Sequence, residues 1–181
     1  MLGDHHLWRK TYAYDPSARV PLIVAPPSAM KRERNTEQKA MVGWEDIMPS
    51  LLEAAGMPIP DTVEGTSFLP LLAGDDFDWR THYHHAHAPC YAPTNAYESL
   101  TSVEWKYVWN PITGEEQLFH RTEDPFELHD LAQDAKTAEL LGEWRLELAK
   151  RLVGRPENLS DGERLQTGKV PVWRDPRGER D

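Results

Sequence analysis

The run Val-Pro-Leu-Ile-Val-Ala-Pro-Pro, from Val20 to Pro27, constrains the fold more than any other stretch. It is short, apolar on both alternating faces and closed by prolines. A run of this kind reads as a strand covered on both sides, as in a parallel sheet. Such a strand needs neighbours to take its backbone hydrogen bonds. It stands alone in this sequence, so the expectation is that its partner strands come from outside it.

The rest of the pattern surrounds that run with helix and antiparallel strand. In "GWEDIMPSLLEAAGMPIP", Ile47, Met48, Leu51, Leu52 and Ala55 recur at helical spacing, and Gly56 supplies a stop with Pro58 beyond it. Pro49 is tolerable only in a first turn, where its missing N–H has no intrahelical partner. That places the helix start near Glu45 or Asp46. A short apolar turn in "VEGTSFLPLLAGDD" ends at Gly74. From Trp79 onward, "THYHHAHA", "EWKYVWN" and "EEQLFHR" are aromatic and partly alternating, as antiparallel strands are. Ala135 to Val153 is the clearest helix. Leu140, Trp144, Leu148 and Leu152 make one stripe, Asp134 can cap the start and Gly154 the end. Trp105, Tyr107 and Trp109 are expected to pack on it. The closing "RPENLSDGERLQTGKVPVWRDPRGERD" lacks periodicity and reads as an irregular tail.

Composition narrows the function classes. The net charge of −10 opposes nucleic acid and anionic membrane surfaces, both of which select positive charge. No apolar run approaches the roughly 18 residues of a membrane span. No signal peptide is visible, so the default compartment is the cytoplasm. The single cysteine, Cys90, can form no internal disulfide.

Four motifs in order carry a resemblance. "LGDHHLWRKTYAYDPSARVPLIV" resembles the later active-site segment of the type I sulfatases, the arylsulfatase family, which reads L-G-(D/E)-H-x-x-W-x-K and leads into S-x-R-V-P-L-I-V. "WEDIMPSLLEAAGMPIP" is similar to the family's D-I-x-P-T-L-L-x-x-A-G helix, and "VEGTSFLPLL" to its V-x-G-x-S-L-x-P-L-L segment. "EEQLFHRTEDPFELHDLA" is similar to E-L-Y-D-L-x-x-D-P-x-E-x-x-N-L-A. The likeness runs from Leu2 to about Leu152.

The resemblance implies an alkaline-phosphatase-like α/β fold. Residues 1–78 would be the end of the catalytic sheet domain. Residues 79–153 would be a small α+β unit of short antiparallel sheet plus one long helix, and 154–181 the tail. Lys10 takes the position of the lysine that contacts the sulfate, a fixed ammonium suited to charge developing on an ester oxygen. His5 and, further along, His87 take positions that border the substrate pocket. His6 stands where many members carry glycine, and Arg19 and Pro21 match framework positions.

The resemblance also shows what to expect outside these residues. Family members use a formylglycine made from the cysteine of C-x-P-x-R. Cys90 is followed by Tyr-Ala-Pro-Thr, so it is not that nucleophile. The calcium ligands of the family precede the L-G-D-H segment, and calcium takes about six to eight oxygens. The expectation is therefore a C-terminal part of a sulfatase, starting at a methionine internal to related proteins. The complete enzyme would use calcium and cleave a small-molecule sulfate ester. This chain alone would bind no metal and be inactive. A phosphonate or phosphate ester hydrolase of the same superfamily is the alternative. A non-catalytic remnant, or a subunit completing a separately encoded N-terminal half, is another.

The cluster His82, His84, His85 and His87 invites a metal reading. On a strand, His82 and His84 share one face and His85 and His87 the other. The spacing is no known zinc signature, so packing or pocket lining is expected and no metal ligand is assigned.

Overall fold

The computed structural model describes residues 1–26, 36–74, 78–89, 92 and 95–168. Cys90, residues 27–35 with the end of the Val20–Pro27 run, and the last thirteen residues lie outside them. The chain forms two compact units, Met1–Val20 with His84–Asp181, and Pro21–Tyr83.

The first unit is built on four strands, β1 (Tyr83–His87, its first residue counted with the second unit), β2 (Tyr97–Thr101), β3 (Trp105–Trp109) and β4 (Glu116–His120), in the order β1-β2-β3-β4. β2 and β3 pair antiparallel with Leu100 opposite Tyr107, and β3 and β4 with Tyr107 opposite Leu118. Those three residues therefore share one face of the sheet. Helix α4 (Ala138–Arg151) covers that face, and Leu141, Trp144, Leu148 and Leu152 join Leu100, Tyr107, Trp109 and Leu118 in one core, with Trp105 and Leu140 packed at its edge. The helix stripe and the aromatic strand expected from the sequence thus meet as predicted. Asp134 accepts the Lys136 N–H at the helix start, and Gly154 takes a left-handed φ of 76° just past its end.

Two features of this unit depart from the sequence reading. The stretch after Gly154 is no surface tail as far as it is described. Leu159 is 0% exposed in the core, and Leu165 packs beside it through a bridge between Ser160 and Leu165. Two isolated leucines carry no periodicity, yet each can fill a gap at the end of α4. Second, residues 1–20 fold against the sheet rather than with residues 21–78. A short helix, α1 (Asp15–Ala18), ends the segment. The opposite face of the sheet carries Lys106 and Phe119 as register partners, and residues 13–15 lie on it.

The second unit holds α2 (Ile47–Ala54) and α3 (Leu69–Ala73). A 3-10 turn over Trp44–Asp46 leads into α2, so Pro49 falls in the first turn, where it leaves no broken hydrogen bond. Gly56, at φ 68°, closes the helix as predicted. Asp46 is fully buried and organises the unit. Its carboxylate accepts the Gly43 and Thr66 N–H groups at 2.8 and 2.9 Å. Ser50 Oγ donates to the Asp46 carbonyl and accepts the Phe68 N–H, joining α2 to the segment before α3.

Residues 20–24, expected as a strand with partners from outside this sequence, join no ladder among the described strands, and Ile23 is 92% exposed. An apolar run becomes a strand only where neighbours take its N–H and C=O groups, and none does here. Among the described residues no helix is long and apolar enough to cross a membrane.

Candidate functional site

The segment Asp4–Thr11 is held in an unusual backbone. Gly3 opens it at φ 111°, and four further residues without glycine's freedom, His5, His6, Arg9 and Thr11, also have positive φ, at 52°, 58°, 83° and 126°. Each such residue costs of order 1–3 kcal/mol unless its surroundings hold it. Locally, Gly3 N–H donates to Leu7 O at 3.0 Å, and Arg9 N–H to Met1 O at 3.1 Å. Leu2 and Trp8 form an isolated bridge.

This winding turns Lys10 outward. Lys10 is exposed and, with Met1, Leu2, Trp8 and Arg9, lines an open depression of about 620 Å³. Among the described residues the Lys10 ammonium enters no ion pair. Trp8, 70% exposed, offers an apolar wall beside two cations. Such a surface suits an anionic group carried on an apolar or ring-shaped body.

His5 lies in the same segment but not in the lining. Its ring stacks on Tyr14 with centroids 3.9 Å apart and planes 11° from parallel. His5 Nε2 is buried with no hydrogen-bond partner among the described residues. His87 stands on β1, stacked on Tyr97 at 5.7 Å, and is not in the lining either. His85 meets the same Tyr97 edge-on at 5.6 Å, so His85 and His87 share a face as strand alternation requires. Burial, aided by the charge of Lys106, pushes the His85 ring down to about 3, so it is neutral across the physiological range. Burial lifts the Tyr97 phenol to about 12. His84 Nε2 lies 2.7 Å from Glu98 Oε2, and Arg155 donates to the same carboxylate at 3.2 Å.

The described residues do not fit the calcium that the resemblance implies. No group of three or more His, Cys, Asp or Glu among them could hold a metal ion.

Beneath the segment lies a buried charge cluster that sequence reasoning missed. Lys106, 1% exposed, donates to Ala13 O at 2.9 Å and Asp15 Oδ1 at 2.5 Å, and pairs with Glu127. Arg121 donates to Asp15 Oδ2 at 2.9 Å, and the Asp15 N–H to Glu127 Oε2 at 2.7 Å. Two cations thus balance two carboxylates. Burial alone would push Asp15 up, but the charges and hydrogen bonds of Lys106 and Arg121 outweigh it and hold the carboxyl below its ordinary value. Burial wins at Glu127, whose carboxyl is held above its ordinary value. The one signal in the sequence is Lys106 itself, a charge in the middle of an aromatic strand.

The family described as N-sulphoglucosamine sulphohydrolase, C-terminal, matches residues 3–153. The chain is 34% identical over 169 residues to an arylsulfatase of Clostridium perfringens, covering 93% of this chain and 34% of that protein. It is 31% identical over 139 residues to a choline-sulfatase of Rhizobium meliloti, covering 75% of this chain and 26% of that protein. Among solved structures, a 2-O glycosaminoglycan sulfatase superposes with a TM-score of 0.54 and 25% identity, over 59% of this chain and 24% of the other. The chain therefore spans about a quarter to a third of the length of these relatives.

Proposed function

The chain belongs to the family of N-sulphoglucosamine sulphohydrolase C-terminal regions, the sulfatases of alkaline-phosphatase-like fold, and we propose that it works as the C-terminal portion of a sulfuric ester hydrolase. The substrate is a small-molecule sulfate ester. Lys10 contacts the sulfate and offsets the negative charge that grows on its oxygens as the ester bond breaks. His5 and His87 border the substrate. The single observation that carries this reading is the Lys10 ammonium, turned outward by a strained loop onto a depression shared with Arg9 and Trp8. Loop strain of this kind is concentrated at functional positions.

The remaining chemistry is supplied by a preceding catalytic portion, in the same polypeptide or encoded separately. The exposed run Leu22, Ile23 and Val24 supports that reading. Once paired in a sheet and covered, three such side chains would contribute several kcal/mol to the association, at about 1.5–3 kcal/mol each. In the assembled protein, residues 1–78 would contribute to the catalytic portion and 79–153 would form the C-terminal subdomain, with residues 1–20 packed in the unit of that subdomain.

The test is complementation. The 181-residue chain is assayed with 4-nitrophenyl sulfate and calcium, alone and co-expressed with the N-terminal two thirds of the arylsulfatase relative. No turnover alone and turnover on co-expression are expected. Hydrolysis of 4-nitrophenyl phenylphosphonate, a phosphonate monoester, in place of the sulfate would move the chain to the phosphonate branch of the superfamily. Turnover of the sulfate by the chain alone contradicts the proposal.

A further inference from the structure

We propose that Lys106 is a positioning residue for the Lys10 loop. It fixes the residues that follow the loop through its bonds to Ala13 and Asp15, and so holds the loop in its strained winding. The inference rests on the functional reading only for what the loop does; the geometry of the anchor stands apart from it.

Four non-glycine residues of left-handed backbone within seven positions represent several kcal/mol of local strain, at about 1–3 kcal/mol each. The hydrogen bonds within residues 1–11 are short-range and half exposed, so they cannot hold such a conformation by themselves. The chain must be fixed at its exit. That exit is fixed unusually well. Thr11 N–H donates to Ser17 Oγ at 3.3 Å, the Ala13 carbonyl receives the buried ammonium, and Asp15 is gripped from both carboxylate oxygens and from its own N–H. Tyr14, between them, stacks on His5 on one side and meets Phe119 edge-on at 5.8 Å on the other. Gln117 donates to its hydroxyl at 3.2 Å. Lys106 and Gln117 stand on neighbouring strands, so the sheet acts as the rigid plate to which the loop is bolted.

A buried lysine between two carboxylates is a poor device for stability alone, since an apolar side chain of like volume is often neutral there. Its directed bonds to a carbonyl and a carboxylate set a position, which an apolar residue cannot do. Glu127 belongs to the same device: it sits at φ 54° and ties the loop after β4 to the Asp15 amide.

The test compares amide NMR spectra of the chain with those of Lys106→Met and Asp15→Asn. Expected are large shifts or broadening at Gly3–Thr11, with small changes over α4, in every variant that folds. Asp15→Asn keeps its size and one of the two accepting oxygens, while the other becomes an N–H donor facing a cation, so its loop changes are the smaller but present. Loop amides that stay in place in either folded variant contradict the proposal. So do changes of equal size over α4, and so does a pair of variants that both fail to fold, which would assign the cluster to the core. None of these readouts needs sulfatase turnover, so the anchor and the proposed activity fail separately.

Discussion

Arg80 donates to both carboxylate oxygens of Asp46, Nη1 to Oδ2 at 2.7 Å and Nη2 to Oδ1 at 2.6 Å. The fork closes the second unit across 34 residues of sequence. The carboxylate is fully buried, so removing its partner leaves a charge uncompensated. Arg80→Ala should lower the stability of that unit by about 3 kcal/mol. Hydrogen exchange would show it as faster exchange over α2, with α4 unchanged. Equal loss of protection in α4 would mean the pair supports more than its own unit.

His6 occupies a left-handed φ of 58° with its side chain exposed. The resemblance places His6 where many family members carry glycine, which without a Cβ takes this conformation free of strain. His6→Gly should therefore be neutral or stabilising by up to about 1 kcal/mol, because relief of strain outweighs the added entropy of the unfolded chain. Urea unfolding measures it. A loss above about 1 kcal/mol would show that the imidazole makes a contact of its own.

His85 makes stability depend on pH. An imidazole titrates near 6.5 when exposed, while burial and the Lys106 charge push this one down to about 3. Below pH 6.5 the unfolded chain takes up a proton that the fold refuses. Stability should therefore fall with pH, at about 1.4 kcal/mol per unit through that window. It should be fully present above 6.5. Between pH 6.5 and 5, His85→Gln should flatten the slope by about one proton. An unchanged slope would mean the ring is protonated in the fold.

Leu159 tests the packing of the stretch after α4. It is fully buried among Leu148, Leu152 and Trp144. Leu159→Ala should cost about 2–5 kcal/mol, the range for a core leucine that leaves a cavity. A melting temperature within a degree of the parent would place the residue outside the core.

What the sequence could show and what it could not divide along physical lines. The α4 stripe, its caps, the Pro49 and Gly56 limits of α2 and three of four strands follow from local periodicity, and each is found. β2 escaped because Glu98 and Ser99 interrupt its apolar residues. Both are buried through tertiary bonds, Glu98 to His84 and Arg155, and Ser99 Oγ to the Tyr107 carbonyl. Leu159 escaped because one leucine has no period. Val20–Val24 was read as a strand whose partners come from outside this sequence, and it joins no ladder among the described strands, since pairing depends on neighbours and not on the run itself. Lys10 and His5 were both singled out through the motif, and of the two only Lys10 lines the depression. The Lys106–Asp15 bond was not, because it joins residues 91 apart.

The most direct measurement is kcat/KM for 4-nitrophenyl sulfate in a hybrid, with this chain replacing the last third of the arylsulfatase relative, compared between Lys10 and Lys10→Ala. Loss of one preorganised charge at the developing oxyanion costs about 10²–10³ in rate, so an active hybrid whose Lys10→Ala form falls by that factor is the predicted result. An active hybrid in which Lys10→Ala turns over the ester as fast as its parent would contradict the account.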